Sequence, residues 1–505
     1  MWASPGLLIW GILWVMIWKG HVSPAFVEGQ EEVLESLTVS SRVHSRICEH
    51  HGFRKARPHT VSILEFGAVG DGITINTHAF ENAIFYLRSF ADKGGAQLYV
   101  PPGHWLTGSF SLTSHLTLFI DQGAVILGTQ DITKWPIIDS LPSYGRGREL
   151  PGDRHTALIY GENLTDVVIT GENGTVDGQG SVWWDLHRNG SLDYTRPHLV
   201  EFINSNSILF SNVTFQNSPF WTLHPVYCSN VIFQDLTILA PHNSPNTDGI
   251  DPDSCTDVCI TNSYIDVGDD AISIKSGWDE YGISYGKPSA NILIRNIHAV
   301  TPTSAGVAIG SEMSGGVQNV TVENMVIKNA RRGFRIKTAV GRGGYIRNVY
   351  LNHIVMQNVS TAIAFTGAYG EHPDDKYDPD AYPVVDNIVI KNVVGDLIQE
   401  AGTLFGISGA PFRNICLSQI TLDVCGPFKW NCTDVEGVYS DVFPEPCPQF
   451  LNDSRQVDIV CSSEHIRHGE PDSTRSAEYD AMEKRIKLDA KATFGGSKAA
   501  LWCQG

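Results

Sequence analysis

The chain reads as an all-β protein, a parallel β-helix, and three observations carry that expectation. The first is a short recurring pattern: an Asn, Asp or Ser, an aliphatic alternation, then Asn or a polar equivalent. It reads Asn230-Val-Ile-Phe-Gln-Asp235, Asp257-Val-Cys-Ile-Thr-Asn262, Asn291-Ile-Leu-Ile-Arg-Asn296, Asn319-Val-Thr-Val-Glu-Asn324, Asn348-Val-Tyr-Leu-Asn-His353, Asn387-Ile-Val-Ile-Lys-Asn392 and Asn414-Ile-Cys-Leu-Ser-Gln419, with weaker copies from Asp166 and Ser207. Starts at 166, 207, 230, 257, 291, 319, 348, 387 and 414 lie 41, 23, 27, 34, 28, 29, 39 and 27 residues apart, a spacing that belongs to stacked repeats. The second observation is that no segment between copies carries ten or more residues of 3.6-residue periodicity, so the coils are strands and turns. The third is composition: 48 glycines suit a turn-rich chain, and 18% charged residues fall below the average of about 25%. A solenoid grows without a second core, so 505 residues need not divide into several domains.

Taken from the start, residues Leu7 to Trp18 form an apolar run that suits a signal-peptide core and falls short of the roughly 20 residues of a membrane span. A signal peptide over residues 1–24 is expected. A short uncleaved anchor is the alternative, because Lys19 follows the run and no Lys or Arg precedes it. Eight Asn-x-Ser/Thr sequons, at Asn163, Asn173, Asn189, Asn212, Asn319, Asn358, Asn431 and Asn452, and ten cysteines agree with export. Residues 25–58 read as an irregular leader, and residues 59–461 as the β-helix. At its start, Phe66-Gly-Ala-Val-Gly-Asp-Gly72 is a glycine-rich turn without the Gly-Lys-Ser/Thr of a phosphate loop. A helix from Thr77 to about Phe90, apolar at Phe80, Ala83, Ile84 and Leu87, would close the first coil. Cys416, Cys425, Cys432, Cys447 and Cys461 crowd the last coils and read as disulfides stapling a terminal cap, since the spacings lack zinc-knuckle pairs. Cys255 and Cys259 could be a local bridge or two buried thiols. Residues 462–505 are a polar tail with a weakly helical stretch from Ala477 to Ala490.

The chemistry gathers between Asn230 and Lys337. Asp248 lies at offset 18 from the start of its repeat, Asp269 and Asp270 at 12 and 13, Glu312 at 21, Arg335 and Lys337 at 16 and 18. Successive coils stack about 4.8 Å apart, so these residues converge on one wall. Phe334 and Ile336 alternate with Arg335 and Lys337, which turns the cations outward if the apolar pair faces the core. Carboxylates held close are what glycosidic hydrolysis uses: one protonates the leaving oxygen while another activates water or attacks, and mutual charge keeps one protonated. Clustered carboxylates also bind calcium, but no regular Asp-x-Asp-x-Asp set accompanies these; neither a metal nor a cofactor is expected. The net charge of −19 disfavours nucleic acid. Yet between Glu323 and Glu371 there is no acid and there are seven cations, Lys328, Arg331, Arg332, Arg335, Lys337, Arg342 and Arg347, a local field suited to an anionic ligand.

Together these residues resemble glycoside hydrolase family 28, the polygalacturonases and their relatives, over roughly Val61 to Val424. The resemblance is carried by Asn246-Thr-Asp248-Gly249, Gly268-Asp269-Asp270 and Arg335-Ile-Lys337 in that order, with Ser218-Pro-Phe-Trp-Thr-Leu-His224-Pro before them and the glycine-rich turn at Phe66. It implies a single-stranded right-handed parallel β-helix and inverting hydrolysis of α-1,4-linked galacturonic acid. It further implies Asp269 as general acid, Asp248 and Asp270 as the pair activating water, Arg335 and Lys337 as ligands of the sugar carboxylate, and Asn246 as a support of the site. Tyr369 matches the sugar-stacking tyrosine, and His224 is either a subsite wall or structural. Where many members carry Gly-His-Gly, this chain is read as Gly310-Ser311-Glu312-Met313-Ser314-Gly315-Gly316, with Glu312 in the place of the histidine that supports the acid. That stretch is similar to the branch holding exo-acting bacterial enzymes, and the insertions Asp131 to Asp153 and Ala368 to Tyr382 are candidates for closing one end of the groove. The expectation is a secreted monomer acting on pectic polysaccharide, without nucleic-acid or stable membrane partners. Two alternatives are a hydrolase of rhamnogalacturonan or xylogalacturonan and a wall protein that binds pectin without cutting it.

Overall fold

A computed structural model describes residues 56–427 and 429–452, together with Cys48 and residues 456, 457, 460, 461, 477, 481 and 484. The expected signal peptide, most of the leader, and most of the tail with its weakly helical stretch lie outside the described residues. What is described is a right-handed parallel β-helix whose coils pair strand to strand in parallel. Besides the main sheet of 19 strands there is a four-stranded sheet of Phe110–Ser111, Ile159–Glu162, Val200–Ile203 and Leu223–Val226, and one short antiparallel pair.

The repeat read from the sequence is the register of the coil. Val167, Ile208, Val231, Val258, Ile292, Val320, Val349, Ile388 and Ile415, each one residue past a repeat start, pair in an unbroken column, and every one is buried. The polar residues that open each copy have a backbone reason. Asp166, Ser207, Asn230, Asp257, Asn291, Asn319, Asn348, Asn387 and Asn414 all sit at φ between 52° and 60°, and those that close the copies, from Asp235 to Gln419, at φ between 51° and 56°. Asn and Asp tolerate this left-handed conformation best among residues with a side chain, so each copy is a short strand between two corners. The corner amides then bond along the stack: Asn319 Nδ2 donates to Asn291 Oδ1 at 3.1 Å, Asn348 to Asn319 at 3.0 Å and Asn387 to Asn348 at 2.9 Å.

Helix α1 (Thr77–Leu87) buries Phe80, Ala83, Ile84 and Leu87, and Phe80 stacks on Phe110 at 4.4 Å, so the open first coil is covered as expected. The glycine-rich turn serves the same end: Gly72 has φ 75°, and Asp71 accepts from the backbone of Ile73 and Thr74. At the other end Cys432–Cys447 and Cys416–Cys461 are bridged, and Cys425 is also disulfide-bonded. The expectation for Cys255 and Cys259 needs correction. Cys259 points out of the barrel and bridges to Cys48 across 211 residues, tying the leader to the coils, while Cys255 points inward and is a buried thiol next to Cys228.

Candidate active site

Two adjacent coils deliver the acids to one place. Asp248 leads into a short bridge at Ile250, and its carbonyl accepts from Thr222 N of the coil below at 2.8 Å. Asp269 and Asp270 follow the strand Thr256–Asp266, and Gly249 N donates to the Asp270 carbonyl at 3.0 Å. The two motif glycines let these backbones meet: a Cβ on Gly249 would lie 2.5 Å from the Ala271 oxygen, and one on Gly268 2.4 Å from the Ser244 oxygen. Thr247 is buried, with its hydroxyl shared with Ser244 and accepting from Gly268 N. As a result carboxylate oxygens of Asp248, Asp269 and Asp270 lie within 4.8 Å of one another.

The cations arrive on the next coils. In the strand Val317–Lys337 Phe334 and Ile336 are buried in the core and Arg335 and Lys337 lie on the other side of the strand, as the alternation predicts; Lys337 lines the cavity, and Arg335 stands beside the cavity residue Tyr369 without lining it itself. Lys337 Nζ donates to Asp270 Oδ2 at 2.6 Å, and Ala305 N donates to Asp270 Oδ1 at 2.9 Å, beside the Ser304 hydroxyl. Arg335 lies 5.3 Å and Lys337 5.8 Å from the ring centre of Tyr369. Asn246, at φ 55°, accepts from Arg196 Nη2 at 2.9 Å.

Electrostatics separates the three acids. Burial alone would raise Asp270, but Lys337 and Arg335 hold it down at about 2. Asp269 is raised by burial and then by its charged neighbour Asp270, and Asp248 is raised by burial and then by Asp269 and Asp251. One of these two therefore carries a proton when the other is ionised. The arrangement can donate a proton and accept one within a single pocket, beside two cations that match a carboxylated sugar.

The pocket is a cavity of about 640 Å³. The insertions at 131–153 and 368–382 both reach it, through Arg146, Arg148 and Glu149 and through Tyr369, Glu371 and His372. Tyr369, Asn246 and Glu312 line it, but His224 does not. His224 belongs to the strand Leu223–Val226, all four residues of which are buried, and its ring Nδ1 donates to Glu201 Oε1 at 3.0 Å while its Nε2 lies 3.5 Å from Asp253 Oδ2. It stands behind Trp221, 5.0 Å between ring centres, and so supports the wall without reaching a ligand. Glu312 also departs from expectation. It is not beside Asp269: it accepts from Arg148 Nε at 2.6 Å, Ser311 Oγ at 2.9 Å and Lys275 Nζ at 3.3 Å, and these cations hold it well below the ordinary range against the opposing effect of burial. The groups touching the acids from the neighbouring coil are Ser304 and Ala305, because the register there pairs Ala305 with Arg332 and Ala308 with Arg335.

Sequence reasoning missed Lys275, Arg148, Trp221 and Trp278, which line the cavity. For Lys275 a signal existed. It follows Ile274 as Lys337 follows Ile336, and Ile274, Ile309 and Ile336 pair in one column, so two copies of one alternation place two lysines alike. Arg148 sits on an insertion with no period to read. Among the described residues two side-chain sets could ligate a cation, the three acids and His198, Glu201 and His224; each already has a cation of the chain bound to it, Lys337 on Asp270 and Arg154 on Glu201.

Comparison with known proteins adds independent findings. The family model described as glycosyl hydrolases family 28 matches residues 97–442. A probable polygalacturonase of Vitis vinifera is 50% identical over 80% of this chain and 83% of its own, and one of Arabidopsis thaliana is 31% identical over 76% and 79%. Among solved structures, a hyperthermoactive exopolygalacturonase from Thermotoga maritima superposes with a TM-score of 0.70 at 29% identity, covering 80% of this chain and 95% of that one. With the acids, their cations and the coil in place, the match of the family model over most of the chain settles membership: the chain belongs to glycosyl hydrolases family 28.

Proposed function

We propose that this glycoside hydrolase cleaves α-1,4-galacturonosyl bonds of pectin and polygalacturonate, trimming from a chain end. The observation that carries the reaction is the meeting of Asp248, Asp269 and Asp270 within 4.8 Å, with Lys337 and Arg335 two coils further on. In this reading Asp269, whose carboxyl is raised by burial and by Asp270, gives its proton to the glycosidic oxygen, and the C–O bond breaks with its electrons on that oxygen. Asp270, an anion at about 2, and Asp248 take a proton from the attacking water. Arg335 and Lys337 bind the sugar carboxylate, Tyr369 stacks on the ring, and Asn246, fixed by Arg196, holds the wall. Inversion at the anomeric carbon is the outcome the family likeness implies, and it is read by proton NMR of the first product anomer.

Asp269→Asn should fold and release reducing ends from polygalacturonate about a hundredfold to ten-thousandfold more slowly. Turnover of rhamnogalacturonan or xylogalacturonan in place of polygalacturonate would move the substrate assignment, and binding to pectate without any product would select a binding protein.

The trimming mode is favoured by the two insertions, which bring Arg148 and Glu371 into an ion pair at 2.7 Å at the cavity wall. It is supported by the exopolygalacturonase likeness. Oligogalacturonate digested and resolved by size over time should yield one short product from the start; a mixed ladder of intermediate lengths would mean internal cutting. The disulfides belong to an oxidising compartment, so we infer export to the wall space, with residues 1–24 as the signal peptide and a monomer as the working form. Among the described residues no helix is long and apolar enough to cross a membrane.

A further inference from the structure

Lys275 belongs to none of the motifs, yet it is the buried cation around which the far side of the cavity is built. Its Nζ lies 3.3 Å from Glu312 Oε2, 3.6 Å from Asp251 Oδ1 and 4.0 Å from Asp248 Oδ2. It also donates to Ser273 Oγ at 3.1 Å and stands 4.1 Å from the ring centre of Trp221. Its side chain is 3% exposed. Lys337 occupies the matching place two coils on and bonds Asp270 at 2.6 Å. Of the three acids, Asp248 and Asp270 thus each have an ammonium group within 4.0 Å, and among the described residues Asp269 has no ion pair.

We propose that Lys275 is a positioning residue for proton transfer: by standing beside Asp248 and away from Asp269, it keeps Asp248 as the carboxylate of that pair and leaves the pair's proton on Asp269. The proposal rests on the reading of Asp269 as the acid. Two buried carboxyls this close do not ionise together at low cost, so the question is which one keeps the proton. The more distant charges work against a proton on Asp269: Lys337 lowers Asp269 from beyond Asp270, and Asp251 and Asp270 raise Asp248, so the direct ammonium neighbour of Asp248 is the feature that favours its ionisation. Asp269 is adjacent to the Asp270 anion, and Asp248 faces Lys275. The other groups around Asp248 are Asp251 and Asp270. Around Lys275 they are Glu312, Asp251, Asp248 and Asp270, with Lys337 repelling across the cavity.

Two features keep the lysine's charge available to Asp248. Neither oxygen of Asp251 has a hydrogen-bond partner, and burial pushes Asp251 up to about 7, so below that pH it is a neutral neighbour. Glu312, the nearest anion, is shared with Arg148 at 2.6 Å. Glu312 therefore anchors Lys275, which accounts for an acid standing in this wall without touching Asp269. The proton count closes over a turnover. Asp269 loses one proton to the leaving oxygen, the base side gains one from water, and transfer between adjacent carboxyls under the same field returns it to Asp269.

The test is the pH profile of kcat and KM on oligogalacturonate for wild type, Lys275→Gln and Lys275→Arg, with folding checked by circular dichroism. Removing the charge makes Asp248 harder to ionise, so the acidic limb should move up by about 1–3 pH units, with kcat at the wild-type optimum falling at least about tenfold and KM changing less than about threefold. Lys275→Arg should restore the limb. An unmoved limb overturns the proposal, whether or not KM rises; a raised KM with the limb in place would mean that the lysine grips substrate. If Lys275→Gln does not fold, Glu312→Gln decides: it removes a negative charge from the lysine's other side, so the limb should move down, and an upward or absent shift overturns the proposal. A wild-type protein silent on every pectic polymer overturns the underlying hydrolase reading and this one with it, whereas an active wild type with unshifted variants overturns this one alone.

Discussion

Arg196 has no exposed side-chain surface, and its guanidinium bonds Glu149, the carbonyls of Pro219 and Pro245, and Asn246. Glu149→Gln would leave that charge buried among neutral partners, which should lower stability by about 3–5 kcal/mol, measured by denaturant unfolding. Burial pushes Glu149 up, but His187 and Arg196 bring it to about 2 from an ordinary 4.5. Its depressed value means that its stabilisation is full above about 4.5 and is lost as pH falls toward 2, and the variant should lack that part of the acid transition. Asp251 behaves in the opposite sense. Burial raises it to about 7 from 3.8, so its contribution is full below 3.8 and is lost as pH rises through 7. Asp251→Asn should flatten the decline in Tm between those values. At this scale Asp248, Asp269, Asp270, Arg335 and Lys337 were legible because each follows a strand of fixed phase. His224 and Glu312 were misplaced because a residue type does not say which cation or wall it meets: one is behind Trp221, the other on Arg148 and Lys275.

Among the elements, the repeats were the readable part, since a corner at φ near 55° selects Asn and Asp and so writes the coil boundary into the residue types. The insertions were not, because their conformation is set by partners far along the chain. Arg342 illustrates this. It is fully buried, is paired with Asp279 at the start of α2 (Asp279–Tyr285), donates to Ser311 O at 2.8 Å and also holds the carbonyl of Glu371. One guanidinium thus ties the stretch after Trp278, the turn carrying Glu312 and the insertion carrying Tyr369. Arg342→Met should loosen that insertion. We expect KM on oligogalacturonate to rise at least about tenfold while kcat falls less, because Asp248, Asp269 and Asp270 keep their own backbone contacts. Equal loss of both would mean that the insertion shapes the acids as well.

For the molecule as a whole, stability in a solenoid is a sum over neighbouring coils, so its ends decide where opening begins. Phe80 is buried in α1 against Phe110, and Phe80→Ala should cost about 3–5 kcal/mol. Hydrogen exchange should then quicken first in the strands from Ala96–Val100 to Ala124–Gly128, while the middle strands Ser289–Ile309 to Val384–Phe405 keep their protection. The Arg148–Glu371 ion pair that joins the two insertions at the cavity wall carries the proposed trimming mode, and that mode has a consequence for the polymer itself. An enzyme that nibbles termini shortens every strand slightly and severs none in the middle, so a pectate solution should stay thick while sugar accumulates in it, and a gel should thin only when its strands are nearly used up.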